Sequence, residues 1–380
     1  MFLSFYHSEK SGGFILILCT VLSVIIANSK FSADYILFFH RISEFSFFNV
    51  PIHFSVQHII NDGLMAIFFL MVGLEIEREL YVGELSNFKN ALLPIVAAFG
   101  GMVFPALIHF LFNFGTDSQS GFGIPMATDI AFSLAALSLL GKNIPLSLKI
   151  FLTAFAIIDD LGAISLIALF YSQDITLIYL IFSIVLFLFL LILNKMRVFI
   201  LLPYIIIGFF MWFFMLKSGI HPTITGVLLA FAIPFSKNGY NPSFKVLNFL
   251  HVPVAFFILP LFAIANTCIK IDFGSISGFI SQNSLGIITG LVIGKPLGIF
   301  LFSLLSVKAG ICKLPADLHF RHIMGAGLLG GIGFTMSIFI ANLAFTDSNL
   351  VNSSIIATIV ASFLSGIIGV FYLRANRKLA

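Results

Sequence analysis

The sequence predicts an all-α polytopic membrane protein of about 12 transmembrane helices, on three observations. Hydrophobic residues make up 59% of the 380 and charged residues only 9%, with 48 phenylalanines. That is more apolar surface than a soluble domain of this length can bury. Apolar stretches that reach the roughly 20 residues a helix needs to cross a hydrocarbon core recur along the whole chain. Lys and Arg, finally, are segregated between alternate connections. Open sheet is excluded, because lipid offers no partner for unpaired backbone groups.

The spans fall near 12–28, 60–82, 91–113, 124–141, 148–171, 175–194, 199–216, 219–235, 251–270, 285–307, 325–345 and 351–373. The first ends in "IIANSK", which loosely resembles a signal-peptide cleavage site; the charge pattern below requires that the span be kept. The segment from about 29 to 59 contains "EFSFFNVPIHFSV", whose alternation and Asn-Val-Pro break predict a short hairpin outside the membrane. Asp62 reads as a cap at the start of the second span. That span closes in "GLEIEREL", where Glu75, Arg78 and Glu79 share one face by their i, i+3, i+4 spacing and Glu77 lies off it. By themselves these charges read as a solvated helix end. The fourth span, "GFGIPMATDIAFSLAALSLLGK", is interrupted by Pro125 and by Thr128-Asp129, and the fifth carries Asp159-Asp160 in "FAIIDDLGAISLIALF". His221 precedes Pro222 at the start of the eighth. Lys295 lies within the tenth, in "GLVIGKPLGIF", and five glycines crowd the first half of the eleventh (Gly325, Gly327, Gly330, Gly331, Gly333).

With these spans, fifteen of the 20 Lys and Arg residues collect on the side of both termini. Lys30, Arg41, Lys217 and Lys270 fall on the other, and Lys295 lies inside. The positive-inside rule then places both termini in the cytoplasm. An odd number of spans, or loss of the first, would mix the two sets. Because the basic residues are scattered singly, no nucleic-acid surface is expected; membrane lipid is the expected surroundings. Cys19, Cys268 and Cys312 follow no metal spacing and read as core thiols.

Asp129, Asp159, Asp160 and Lys295 each cost roughly 2.5–3.5 kcal/mol on insertion scales, so a use for them is expected. Three acids cannot all be neutralised by one base. Adjacent helix residues point about 100° apart, so Asp159 and Asp160 face different partners. One can meet Lys295 while the other faces a water-filled cavity. A small hard cation wants several oxygens, which Asp160, Asp159, the Thr128 hydroxyl and the freed carbonyls of a broken helix can supply. Such a site holds either a cation or protons. Asp129 suits the positive N-terminal ends of half-helices; Lys295 suits either their negative C-terminal ends or Asp159. The two interrupted spans occupy matching places in 91–171 and 285–373, the pattern of a transporter's central site. No enzyme is expected: neither Asp129 nor the pair has a Gly-x-Gly-Asp context for an aspartyl protease, and "DDLGAISL" offers no third acid for a magnesium-dependent transferase. No cofactor is implied.

Six stretches together resemble the NhaA sodium/proton antiporters over essentially the full chain: "GLEIEREL", "ATDIAFSLAALSLLG", "LKIFLTAFAIIDDLGAI", "LPLFAIANT", "GLVIGKPLGI" and "GIGFTMSIFIANLAF". That family is a standard example of inverted-repeat transporters, so two inverted three-helix repeats with discontinuous helices follow from the resemblance and not from an independent observation. The resemblance implies that Asp160 is the principal ligand of Na+ or Li+ and that Asp159 binds the cation or pairs with Lys295. It also implies that Thr128-Asp129 mark the crossing of the broken helices. Further implications are electrogenic exchange of internal Na+ or Li+ for external protons in a bacterial inner membrane and a homodimer formed through the external hairpin. Activity would rise at alkaline pH through Glu75, Arg78 and Glu79, with His221 and His251 as further pH-linked positions. Leu247 and Asn248 stand where members commonly carry an acid and a histidine. A sodium-coupled symporter of similar architecture is the alternative reading.

Overall fold

A helix satisfies its own backbone in lipid, and helices carry most of the described residues. The computed structural model describes residues 9–47, 50–141, 144–172, 175–236, 239–270 and 281–376. Phe48, Asn49, Lys142, Asp174, Lys237, Arg377 and Lys378 lie outside them. In chain order come α1 (Glu9–Ala27), α2 (Ser32–His40), a ribbon of β1 (Ser43–Phe47) and β2 (Val50–Phe54), α3 (Val56–Tyr81) and α4 (Phe88–Phe112). A 3₁₀ segment (Asp117–Met126) leads into α5 (Ile130–Ser138), followed by α6 (Leu146–Phe170), α7 (Leu177–Lys195), α8 (Leu201–Ser218) and α9 (Ile224–Ala232). Then follow α10 (Pro242–Asn266), α11 (Gln282–Lys308), α12 (Phe320–Gly330), α13 (Phe334–Ala344) and α14 (Ser348–Ala375). The ribbon is antiparallel, with Ser43 opposite Phe54 and Phe47 opposite Val50.

Among the described residues, 8 helices are long and apolar enough to cross a membrane, or up to 11 if each bent pair counts as one span. The bent pairs are Ser11–Ala27 with α2 (116°), the 3₁₀ segment with α5 (44°) and α12 with α13 (50°). The expected span at 219–235 forms only the 9 residues of α9. These rise about 14 Å, short of a hydrocarbon core of about 30 Å. Pro234 stops the helix, because the residue before a proline avoids the helical region, and Ile233 is extended at φ −69°, ψ 134°. Two other details also differ from expectation. Asp62 is not the cap of α3: Ser55 is, its Oγ accepting from His58 N at 3.1 Å, while Asp62 sits in a wide π-type turn, Ile59–Leu64. And α10 begins well before 251, because Asn241 caps Phe244 N at 3.1 Å with Pro242 in the first helical turn. His251 therefore lies within a helix.

The chain forms two compact units, each assembled from separated stretches. The first comprises Met1–Gly13, Glu79–Leu166 and Asp272–Ala380, and so holds most of 91–171 and all of 285–373. In it α4 and α11 approach through glycine. A Cβ on Gly100 would lie 2.7 Å from Phe302 Cβ, so only hydrogen fits there. The second unit comprises Phe14–Arg78 and Ile167–Ile271. Within it α7 and α8 bury only 11% and 28% of their most apolar windows, leaving broad apolar faces outward. Its interior holds an amide cluster in which Asn266 Oδ1 accepts from Gln57 Nε2 (3.1 Å) and Asn61 Nδ2 (3.0 Å).

Candidate ion-binding site

The site lies in the first unit, where two helices are broken. The 3₁₀ segment ends at Ala127, whose backbone is extended (φ −80°, ψ 152°), and α5 restarts with Asp129 as its N-cap. The second break runs through Gly331-Ile332-Gly333 between α12 and α13. A broken helix leaves orphan carbonyls and amides, and here each break satisfies the other. Asp129 N donates to Ile332 O (2.7 Å), Thr128 Oγ1 to Gly330 O (2.8 Å), Ser133 Oγ to Leu329 O (2.8 Å) and Ser337 Oγ to Ile124 O (2.7 Å). The approach needs Gly333, where a Cβ would come within 3.1 Å of Ala127 O.

Asp129 serves the amino ends of two half-helices. Its Oδ1 accepts from Phe132 N (3.0 Å) in α5, and its Oδ2 from Thr335 N (3.2 Å) and the Thr335 hydroxyl in α13. One carboxylate thus answers two positive helix ends. Thr335→Val should remove one of these bonds at a cost of about 1–3 kcal/mol, measured as a lower melting temperature in detergent. A variant melting with the wild type would show that the hydroxyl does not hold the acid.

Lys295 directly follows a wide turn, Gly290–Gly294, and precedes Pro296, which has no N–H to close the ordinary helical turn. Its Nζ lies 2.6 Å from Asp159 Oδ2 and 5.9 Å from the Phe155 ring centroid, and it also donates to Met126 O. Lys295 thus touches both of the groups left open for it, the Asp159 carboxylate and a carbonyl at the end of the 3₁₀ segment. The charge of Asp160 also acts on Lys295. Thr128 neighbours Asp159 but spends its proton on Gly330 O. Asp159 Oδ1 is left buried without a hydrogen bond among the described residues. Lys295, Asp159 and Thr128 are fully buried, and Asp129 and Asp160 are 2% exposed. No group of three or more His, Cys, Asp or Glu residues able to hold a metal occurs among the described residues. The groups that could hold a cation here are Asp160 and Asp159, with neighbouring hydroxyl and carbonyl oxygens. That donor set suits a hard ion and not a soft one.

The residues expected to respond to pH divide between partners. Glu75 Oε1 lies 3.7 Å from His251 Nε2. His221 faces Asp62 at 3.3 Å and Thr223 Oγ1 at 2.6 Å. Glu79 accepts from Glu84 N at 3.0 Å and so closes the turn after α3, and Arg78 is half-buried. Glu77 corrects the expectation of a solvated helix end. It is 3% exposed and accepts from the Ser243 hydroxyl, which the early start of α10 provides. Only spacing along one helix was visible for Glu77; its partner is 166 residues away. Thr335 was missed for the same reason.

A family model described as Na+/H+ antiporter 1 matches residues 3–373. Na(+)/H(+) antiporter NhaA 1 of Flavobacterium johnsoniae is 58% identical over 374 residues, 98% of this chain and 96% of its own length. Na(+)/H(+) antiporter NhaA of Flavobacterium psychrophilum is 55% identical over 375 residues, with 98% and 96% covered. The protein of that name from Cytophaga hutchinsonii is 53% identical over 379 residues, with 100% and 96% covered. The family model runs through both broken helices, the aspartate pair and Lys295, the relatives match over nearly the full chain, and the chain belongs to the NhaA family of Na+/H+ antiporters.

Proposed function

We propose that this chain exchanges Na+ or Li+ for protons across a bacterial inner membrane, electrogenically and by alternating access, with activity set by pH. The observation that carries the reading is the buried Asp159–Lys295 pair beside Asp160 at the crossing of two broken helices. A cation that draws Asp159 and Asp160 to itself takes away the counter-charge of Lys295. A buried ammonium without its partner is costly, and shedding its proton relieves that cost. Protons held by the carboxylates leave as the cation enters. More than one proton can therefore move per cation, which makes the exchange electrogenic. Short half-helices joined by a few hydrogen bonds at the breaks suit a rocking motion about the site. In everted vesicles carrying a proton gradient, NaCl or LiCl alone should collapse the gradient. Collapse only with an added organic co-substrate would favour sodium-coupled symport instead.

Competition at the aspartates is proposed as the main source of pH dependence. If the bound cation displaces one proton, apparent sodium affinity should fall about tenfold for each pH unit below the site's own titration range, and more steeply for two coupled protons. Replacing His221, His251 or Glu75 by Gln should move the midpoint and keep the slope. Sodium titrations of purified protein across pH measure both. Affinity independent of pH in His221→Gln would point to a remote switch instead.

Both termini are proposed to be cytoplasmic. This requires an even number of crossings, with the short α9 and its non-helical flanks counted as one. Cysteine labelling should reach Lys149, Lys195 and the C-terminus from the cytoplasm and Asp117 from outside. Labelling of the C-terminus from outside would exclude this topology.

A further inference from the structure

On α14, Ser354, Thr358, Ser362 and Ser365 fall at i, i+4, i+8 and i+11, within an arc of about 80° at about 100° per residue. All four are buried, at 0%, 0%, 7% and 0% exposed. A buried hydroxyl on a helix ordinarily donates to a carbonyl one turn back. Thr20 does so, to Leu16 O, and on α14 itself Ser354 does so, to Leu350 O at 2.7 Å. Thr358 and Ser365 have no hydrogen-bond partner among the described residues. Two other such hydroxyls, Thr225 and Ser303, lie off this helix.

Both ends of the row meet polar structure. At one end, Ser354 Oγ accepts from Asn283 Nδ2 (2.8 Å), and Asn283 Oδ1 lies 3.1 Å from His109 Nε2. An amide oxygen only accepts, so Nε2 carries the proton and Nδ1 of the neutral ring is a lone-pair acceptor. Nδ1 is buried and has no partner among the described residues, in a side chain 0% exposed. At the other end, Ser362 Oγ accepts from Phe334 N (3.1 Å) at the start of α13. A Cβ on Gly331, in the break itself, would meet Ser365 Oγ at 2.6 Å. Ser354 and Ser365 are about 17 Å apart along the helix. Two unpartnered hydroxyls on this face, and an unpartnered acceptor on the ring bonded to Asn283, suit a bridging molecule that both donates and accepts, and water has that chemistry.

We propose that a row of internal water runs along this face of α14, from His109 to the crossing of the broken helices, and is the path by which protons reach that crossing. The second clause rests on the exchange reading above. Protons pass by exchanging O–H and hydrogen bonds in turn; each member keeps its composition, reverses its orientation, and turns back before the next proton passes. On the topology proposed above, the His109 end is the one nearer the outside.

Millisecond X-ray footprinting of the wild-type protein in lipid nanodiscs tests the row, because radicals formed from water in place oxidise buried neighbours. His109 and Ile332 are the reporters; a Cβ on Gly366 of α14 would lie 3.5 Å from Ile332 Cδ1. Both should be oxidised several-fold faster than Met65, a more reactive side chain that is 0% exposed, as His109 is, against 3% for Ile332. Thr358→Val keeps the shape, loses the hydroxyl and should slow oxidation at both reporters. If His109 and Ile332 stay unlabelled in the wild type, the row is wrong whatever transport shows. In proteoliposomes, Thr358→Val should slow exchange several-fold with apparent sodium affinity unchanged. Exchange at the wild-type rate would overturn the proton path. A wild-type protein with labelled reporters and no sodium-dependent proton movement would refute the proposed exchange and leave the row standing.

Discussion

Asp160→Asn should bring sodium-dependent proton movement in vesicles to background while the protein still folds and inserts. The substitution keeps the size and polarity of a side chain 2% exposed and removes only its charge. A monovalent cation held at about 2.5 Å by one carboxylate gains on the order of 6 kcal/mol at an effective dielectric of about 20. Losing that attraction corresponds to roughly four decades of affinity. Asp159 cannot take over the cation without giving up Lys295, 2.6 Å away. Removing one of two adjacent acids also relieves repulsion, so the melting temperature should hold or rise. Sodium binding to purified Asp160→Asn with wild-type affinity would sink the assignment.

Lys295→Ala should lower both stability and transport. It strips the counter-charge from Asp159 and a donor from Met126 O, neither of which water can reach freely in a site this buried. Breaking one side of a buried ion pair typically costs about 3–5 kcal/mol. Lys295→Arg keeps the charge but brings a planar fork where a compact ammonium fits, so it should recover stability more fully than rate. Adding Asp159→Asn to Lys295→Ala should restore much of the melting temperature, since no unpaired charge is then left. Thermal unfolding of the three proteins decides the point. A Lys295→Ala protein as stable and as active as the wild type would show that the lysine balances no charge.

Local sequence was enough for the membrane character, for two of the places where helices break and for the identity of the buried charges. Partition into lipid is a property of about 20 consecutive residues summed locally, and Pro125, Thr128-Asp129 and the Gly325–Gly333 run interrupt such windows visibly. Asp159, Asp160 and Lys295 stand out for the same local reason: each violates the composition of its own span. Only the tertiary structure decided what these groups touch. Asp129 meets Thr335 across 206 residues, Lys295 meets Asp159 across 136 and Met126 across 169, and no window of sequence spans such pairs. The burial of Glu77 depends on where α10 begins. The hydroxyl face of α14 became legible only once α11 and α13 were packed against it. Helix propensity and hydropathy act over neighbours in the chain; hydrogen bonds between broken helices form only after packing has brought distant segments within about 3 Å of one another.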